Sequence, residues 1–258
     1  MKLLFSISLM LAAVAVLSFS VPAQASGQDD QIVSSAEQSY VFKTYLKDDD
    51  IKIKSKDGAV SLTGTVSEES RKFLAAETVA SLPGVKSVDN KLEVKGEKQA
   101  EMSDAWLMTK VKTTLLFRRS VSGLKTEVDV KDGIVTLRGD AENQAQKDLA
   151  TEYAKDIEGV KDVKNEMIVT RAAKERQQET KDMRTAGDKI DDASITAMVK
   201  TTLLYHRSTS GLQTKVETKN GVVTLSGKAK NAAERDLATK FARDVNGVKD
   251  VNNRMTIE

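Results

Sequence analysis

Apolar residues recur every four positions at Leu107, Val111 and Leu115, which predicts a helix with one buried face. Asp104 stands where an N-cap is expected. Polar and apolar residues then alternate through Glu127-Val128-Asp129-Val130, the mark of a half-buried strand. Asp132-Gly133 supplies the two positive-φ positions of a tight hairpin turn, Val135 and Leu137 face inward on the returning strand, and Gly139 closes it. A second helix follows, with Ala145, Leu149, Tyr153 and Ile157 on one face and Lys147, Lys155 and Asp156 off it. Gly159 sits where a helix needs a left-handed stop, and Val160, Val163, Met167 and Val169 suit a third strand. The predicted order is α-β-β-α-β. The hairpin pair is antiparallel and the strand reached through a helix is parallel, so the sheet is mixed. The other sheet face reads Glu127, Asp129, Thr136 and Arg138, so both helices must cover one face.

The same unit is written three times. The hairpin reads GAVSLTG from Gly58, GIVTLRG from Gly133 and GVVTLSG from Gly221, each copy ending on Gly64, Gly139 or Gly227. From that last glycine to the helix stop the interval is 20 residues each time: 64 to 84, 139 to 159 and 227 to 247. The stops open GVKSVDNKL at Gly84, GVKDVKNEM at Gly159 and GVKDVNNRM at Gly247. Units two and three also share VKTTLL, from Val111 and Val199, and a following R-S-x-S-G-L segment. Unit one reads VFKTYL from Val41 and reaches its hairpin five residues sooner, 17 against 22, as if a loop were missing. It is the degenerate copy.

Cysteine is absent, which removes disulfides and thiol chemistry. A formal net charge of +2 argues against a dedicated nucleic-acid binder. The first residues, MKLLFSISLMLAAVAVLSFSVPAQA, follow a charged-apolar-small layout ending in Ala23-Gln24-Ala25. That is the layout of a secretory signal peptide over residues 1–25, with cleavage expected after Ala25; a retained membrane anchor is the alternative. The reading thus divides the chain into a signal peptide (1–25), domain 1 (33–95), domain 2 (103–171), a charged linker (172–187) and domain 3 (188–258). The linker lacks an apolar stripe, and partly independent movement of domain 3 is expected from it. The fold class is α+β, three tandem domains of a three-stranded mixed sheet with two helices on one face.

The Gly-x-Val-x-Leu-x-Gly hairpin, the 20-residue interval and the closing GVKxVxNxM/L resemble the BON domain, and most closely the osmotically inducible periplasmic BON proteins. The resemblance implies a periplasmic module without enzymatic activity. It would attach to phospholipid surfaces or other envelope components and serve under osmotic stress, with no cofactor. A protein-interaction or chaperone-like module that binds other envelope proteins is the alternative.

The residues themselves supply little for catalysis. His206 is the single histidine and reads as a solvated loop residue, since a general base needs a positioned partner. Asp48-Asp49-Asp50 lacks the spaced oxygens of a calcium loop. Surface contact fits better. The loops Phe117-Arg118-Arg119 and Tyr205-His206-Arg207 each offer a ring for a membrane interface and cations for anionic headgroups. Trp106 is a further candidate, being replaced by Ser194 in unit three and so placed where exposure is tolerated. Arg235, Lys240 and Arg243 form a third, diluted by Asp236 and Asp244. The basic excess of unit three favours units two and three as the binding pair, with unit one as a spacer or partner module.

Overall fold

The computed structural model describes residues 24–96, 103–121, 126–170, 190–209 and 213–258. Domain 1 runs α1 (Gln24–Gln38), α2 (Tyr40–Thr44), β1 (Asp50–Lys56), β2 (Ala59–Val66), α3 (Glu69–Ala80) and β3 (Ser87–Val94). Domain 2 runs α4 (Asp104–Leu116), β4 (Thr126–Lys131), β5 (Ile134–Ala141), α5 (Gln144–Lys155), β6 (Asp162–Asn165) and β7 (Ile168–Val169). Domain 3 repeats this as α6 (Asp192–Tyr205), β8 (Thr214–Lys219), β9 (Val222–Ala229), α7 (Ala232–Arg243), β10 (Asp250–Asn253) and β11 (Thr256–Ile257). In each sheet the hairpin is antiparallel and the last strand runs parallel to the central one. The expected mixed α+β sheet is present three times, its third strand split in two pieces in domains 2 and 3.

Each hairpin turn is held by an aspartate near the start of the domain's first helix. Asp104 accepts the N–H groups of Asp132 (2.7 Å) and Gly133 (2.9 Å), and Asp192 does the same for Asn220 and Gly221. The helix cap assigned to Asp104 belongs instead to Ser103, whose hydroxyl accepts from the Trp106 N–H. In domain 1 the latch is Asp29, bonded to Asp57 and Gly58. Latch to turn glycine is therefore 29 residues in all three units. No loop is missing from domain 1. VFKTYL is not the counterpart of VKTTLL: Ala36 occupies the place of Val111, and Phe42-Lys43-Thr44 falls on Phe117-Arg118-Arg119. There domain 1 forms α2, capped by Ser39, where its siblings form a loop.

The nine-residue motif closes each domain by tying its last strand to its second helix. Asn165 donates to the Lys147 carbonyl (2.8 Å) and the Thr151 hydroxyl (2.7 Å), and accepts from the Met167 N–H. Asn253 repeats these bonds with Arg235, Thr239 and Met255, and Asn90 bonds Lys72 and Leu92. The buried face of α5 is Gln146, Ala150, Tyr153 and Ala154. Ala145, expected on that face, is exposed.

The three cores join into one. Buried side chains from Ile32 to Met255 form a single continuous cluster, in which helices of different domains face one another while the sheets keep their polar faces in water. Domain 1 docks on the start of α6: the Tyr40 N–H donates to Asp191 (2.7 Å) and the Val41 N–H to the Ser194 hydroxyl (3.0 Å). Lys200 pairs with Glu77 of α3 at 2.6 Å. Tyr45 meets Phe117 edge-on, with ring centroids 5.1 Å apart. Domain 3 is thus packed against both of its siblings, and the independent movement expected from the linker is corrected. The linker and the signal peptide as far as residue 23 lie outside the described residues; the expected cleavage point after Ala25 falls in the first turn of α1.

Candidate functional site

The segments that follow α4 and α6 do not stand open to solvent. Each crosses to the other domain and docks on the end of its second helix, so that two equivalent segments are exchanged about a local two-fold axis. The Arg119 N–H donates to the Asp244 carbonyl (2.7 Å), and the Arg207 N–H to the Asp156 carbonyl (2.8 Å). Asp244 takes the Ser120 hydroxyl at 2.6 Å, and Asp156 takes the Ser208 hydroxyl at 2.9 Å. The Arg119 guanidinium caps the Val245 and Val248 carbonyls; Arg207 caps those of Ile157 and Val160. The Ile157 and Val245 carbonyls lie just past the helices, and each also accepts one backbone N–H, from Val160 or Val248. The Val160 and Val248 carbonyls follow the glycine stop. The cations complete these acceptors near the negative end of each helix.

At the centre of the exchange, equivalent residues meet. Arg118 and His206 are both 0% exposed, and the guanidinium bonds the imidazole Nε2. Arg118 also donates to the Phe241 carbonyl at 3.0 Å and lies over the Tyr153 ring. His206 stacks on Phe241 with centroids 4.1 Å apart, and its Nδ1 lies 2.6 Å from the Asp156 carboxylate. A guanidinium can only donate, so Nε2 must accept, Nδ1 carries the proton, and the ring is neutral. Burial agrees: it pushes the His206 pKa below the ordinary value, with Arg118 adding to that and Asp156 opposing. Burial also lowers the pKa of Arg118, which the Tyr153 hydroxyl and the two carboxylates partly restore. Burial and the bond to Asp244, 2.5 Å long, push the Tyr153 phenol up to about 12.

The Asp156–His206 pair has the geometry of an oriented general base. It lacks the access. The nitrogen that would take a proton from a nucleophile is occupied by Arg118 and sealed from water.

The structure therefore corrects the picture of two open membrane-binding loops. Phe117, Arg118, Tyr205 and His206 are buried between domains, and Arg119 and Arg207, though exposed, spend their guanidiniums on helix-end carbonyls. The physical reason is an acceptor set that one repeat cannot show: it lies on the other repeat. Trp106 is half-buried at the rim of this junction, with the Lys110 ammonium 3.5 Å above its ring and 5.0 Å from that of Tyr205. Arg235 pairs with its neighbour Asp236, and Arg243 with Asp250. Asp49 is taken by Arg71 and the Ser67 N–H.

One charged surface escaped the sequence reading. Lys52, Lys54 and Lys56 alternate along edge strand β1, all exposed on the polar face of the domain 1 sheet and roughly 7 Å apart, and none is in an ion pair among the described residues. The signal was the alternation DIKIKSK itself. The matching strand of domain 2 carries Glu127 and Asp129 on that face, and that of domain 3 pairs Lys215 with Glu217. Among the described residues no helix is long and apolar enough to cross a membrane.

A family model described as the BON domain matches residues 28–96, 103–171 and 191–258. The chain is 34% identical to osmotically-inducible protein Y of Escherichia coli (strain K12) over 152 residues, 59% of this chain and 71% of that protein. Among solved structures it is similar to CdsD, a structural protein of the type III secretion system of Chlamydia trachomatis, at 16% identity over 88% of this chain and 92% of the other. The TM-score there is 0.23, too low to inform the domain arrangement.

Proposed function

This chain belongs to the BON-domain family, and from that premise we propose that it is a non-enzymatic protein of the periplasm that holds anionic phospholipid surfaces under osmotic stress. The 34% identity to osmotically-inducible protein Y supports the stress and the envelope setting. The observation that carries the binding reading is the row of Lys52, Lys54 and Lys56 along an exposed sheet edge, none of them in an ion pair among the described residues, although Asp50, Asp89 and Glu93 share that sheet face. Each lysine near an anionic surface is worth about 1 kcal/mol, so the row supplies at most about 3 kcal/mol, reduced by the carboxylates beside it, and acts as a weak, salt-sensitive contact. Domain 1 is then a binding module, not a spacer.

The test is co-sedimentation of the mature protein with phosphatidylglycerol and with phosphatidylcholine vesicles at low salt. Binding to the first alone is expected, weakened on the order of 100-fold when all three lysines become Gln. Equal or absent binding to both vesicle types overturns the reading. The open edges of β1, β4 and β8 support a second one, an envelope-protein partner that adds a strand. Full activity of the triple-Gln variant would favour it.

A further inference from the structure

The Arg118–His206 contact is built for one protonation state. Arg118 cannot give up its charge, and it fills the lone pair on which His206 would take a proton. An imidazolium there would set two cations against each other in a volume closed to water. The titratable and charged groups against His206 are Arg118 just past α4, Tyr153 of α5 and Asp156 just past it; Asp244, just past α7, acts on Arg118, and Arg207 of the same segment acts on Asp156. Asp156 alone touches it as a counter-charge. Burial pushes the Asp156 carboxyl up, but the bond from His206, the serine and Arg207 hold it below its ordinary value, so it is already ionised and has nothing further to offer.

We propose that the junction of domains 2 and 3 is a proton-sensitive latch over a concealed surface: protonation of His206 parts the two domains, and the uncovered Phe117, Arg118, Arg119, Tyr205 and Arg207 bind an anionic phospholipid membrane. Opening frees three guanidiniums from carbonyls and adds the charge of His206, against the two carboxylates of Asp156 and Asp244. The rings that packed against the other domain become available to the headgroup layer. The identity of what is bound rests on the phospholipid reading above; the opening does not.

The sign follows from proton counting. The closed form holds His206 neutral and the open form lets it titrate normally, so closed binds fewer protons. Its advantage is complete above the ordinary imidazole value of about 6.5, and falls roughly tenfold for each pH unit below that, down to the depressed value of the buried ring.

Hydrogen exchange of the full mature chain reads this opening even where it is rare. The amides of Arg119, Arg207 and Asn246 all cross the junction. Corrected for intrinsic rates, their protection should fall roughly tenfold per pH unit between pH 6.5 and 5, while that of Leu137 in the domain 2 sheet holds steady. His206→Gln can still donate to Asp156 and accept from Arg118 without titrating, so its junction amides should lose the pH dependence. In parallel, binding to phosphatidylglycerol vesicles should rise from pH 7.5 to pH 5 more in the parent than in His206→Gln, with no such increment on phosphatidylcholine. Junction amides whose protection ignores pH in the parent, or falls equally in the Gln variant, overturn the latch. Opening without a His206-dependent gain in vesicle binding overturns the concealed surface. Absence of binding at pH 7.5 would count against the lysine row alone. Should His206→Gln fail to fold, Asp156→Asn serves: without its counter-charge the closed form tolerates the imidazolium less and also loses the bonds Asp156 makes across the junction, so the opening must move to higher pH, and an unchanged midpoint overturns the latch.

Discussion

Replacing Asp244 with Ala tests whether domains 2 and 3 are bonded as described. The carboxylate accepts from the Tyr153 hydroxyl at 2.5 Å, the Ser120 hydroxyl at 2.6 Å and the Ser120 N–H at 3.2 Å, all from domain 2. Tyr153 is buried, so its hydroxyl would be left with only the 3.4 Å approach of the Ser120 hydroxyl, at about 1–3 kcal/mol. Ser120 is only half-buried and water can replace much of its loss, so about 1 kcal/mol is assigned to its two bonds together. The sum is about 3 kcal/mol. The domains share one core, and if they unfold together the midpoint of thermal unfolding should drop by about 6–12 °C. Tyr153→Phe removes the donor and leaves a carboxylate that water can reach, for about 1 kcal/mol. The decisive quantity is the double variant. With the phenol gone, Asp244→Ala no longer strands a buried donor, so the two losses should fall short of additive by about 1 kcal/mol or more. Full additivity in urea unfolding would mean that no bond joins these residues, and the exchanged arrangement would fail with it.

Two further outcomes follow from the packing. Phe117→Ala empties a site 1% exposed, where domain 1 meets the junction through Tyr45, and should cost about 3–5 kcal/mol in urea unfolding; a loss below about 1 kcal/mol would mean that the three domains do not share a core. Gly227→Ala would place a Cβ 2.1 Å from the Gln213 carbonyl oxygen at φ +127°, and should cost about 3 kcal/mol or more, whereas Gly96→Ala, with nothing within 4 Å, should cost only about 1 kcal/mol by the same measurement.

Local structure was legible because it is written in short-range chemistry. Asp132-Gly133 and Asn220-Gly221 adopt the paired positive φ that their turn demands, and Gly84, Gly159 and Gly247 end helices at φ near +90°. Alternation in β4 and the four-residue recurrence in α4 needed only their own neighbours. The junction was not legible in that way. Arg118 and His206 look like solvated loop residues until the helix-end carbonyls of another repeat are brought up to them. A trace of it was present all the same. Units two and three carry an Arg-Ser pair after the first helix together with an aspartate at the end of the second, Asp156 or Asp244. In unit one, aligned on its latch, both features are gone, with Ser81 in the aspartate's place. An alignment of unit one on VFKTYL hides that correlation, because the fixed point of the unit is Asp29.

Where a symmetry axis passes between two copies, the residue beside it confronts its own double. A homodimer is bound to that choice: whatever charge one subunit carries, the other carries too, and an arginine would face an arginine. Tandem duplication lifts the constraint, because each half can mutate alone. Here one half kept the permanent cation and the other took a side chain that can be uncharged, so the pair is complementary only as a mismatch. Neither half should recognise itself as well as it recognises its neighbour, and the order of the units along the polypeptide becomes part of what makes them fit.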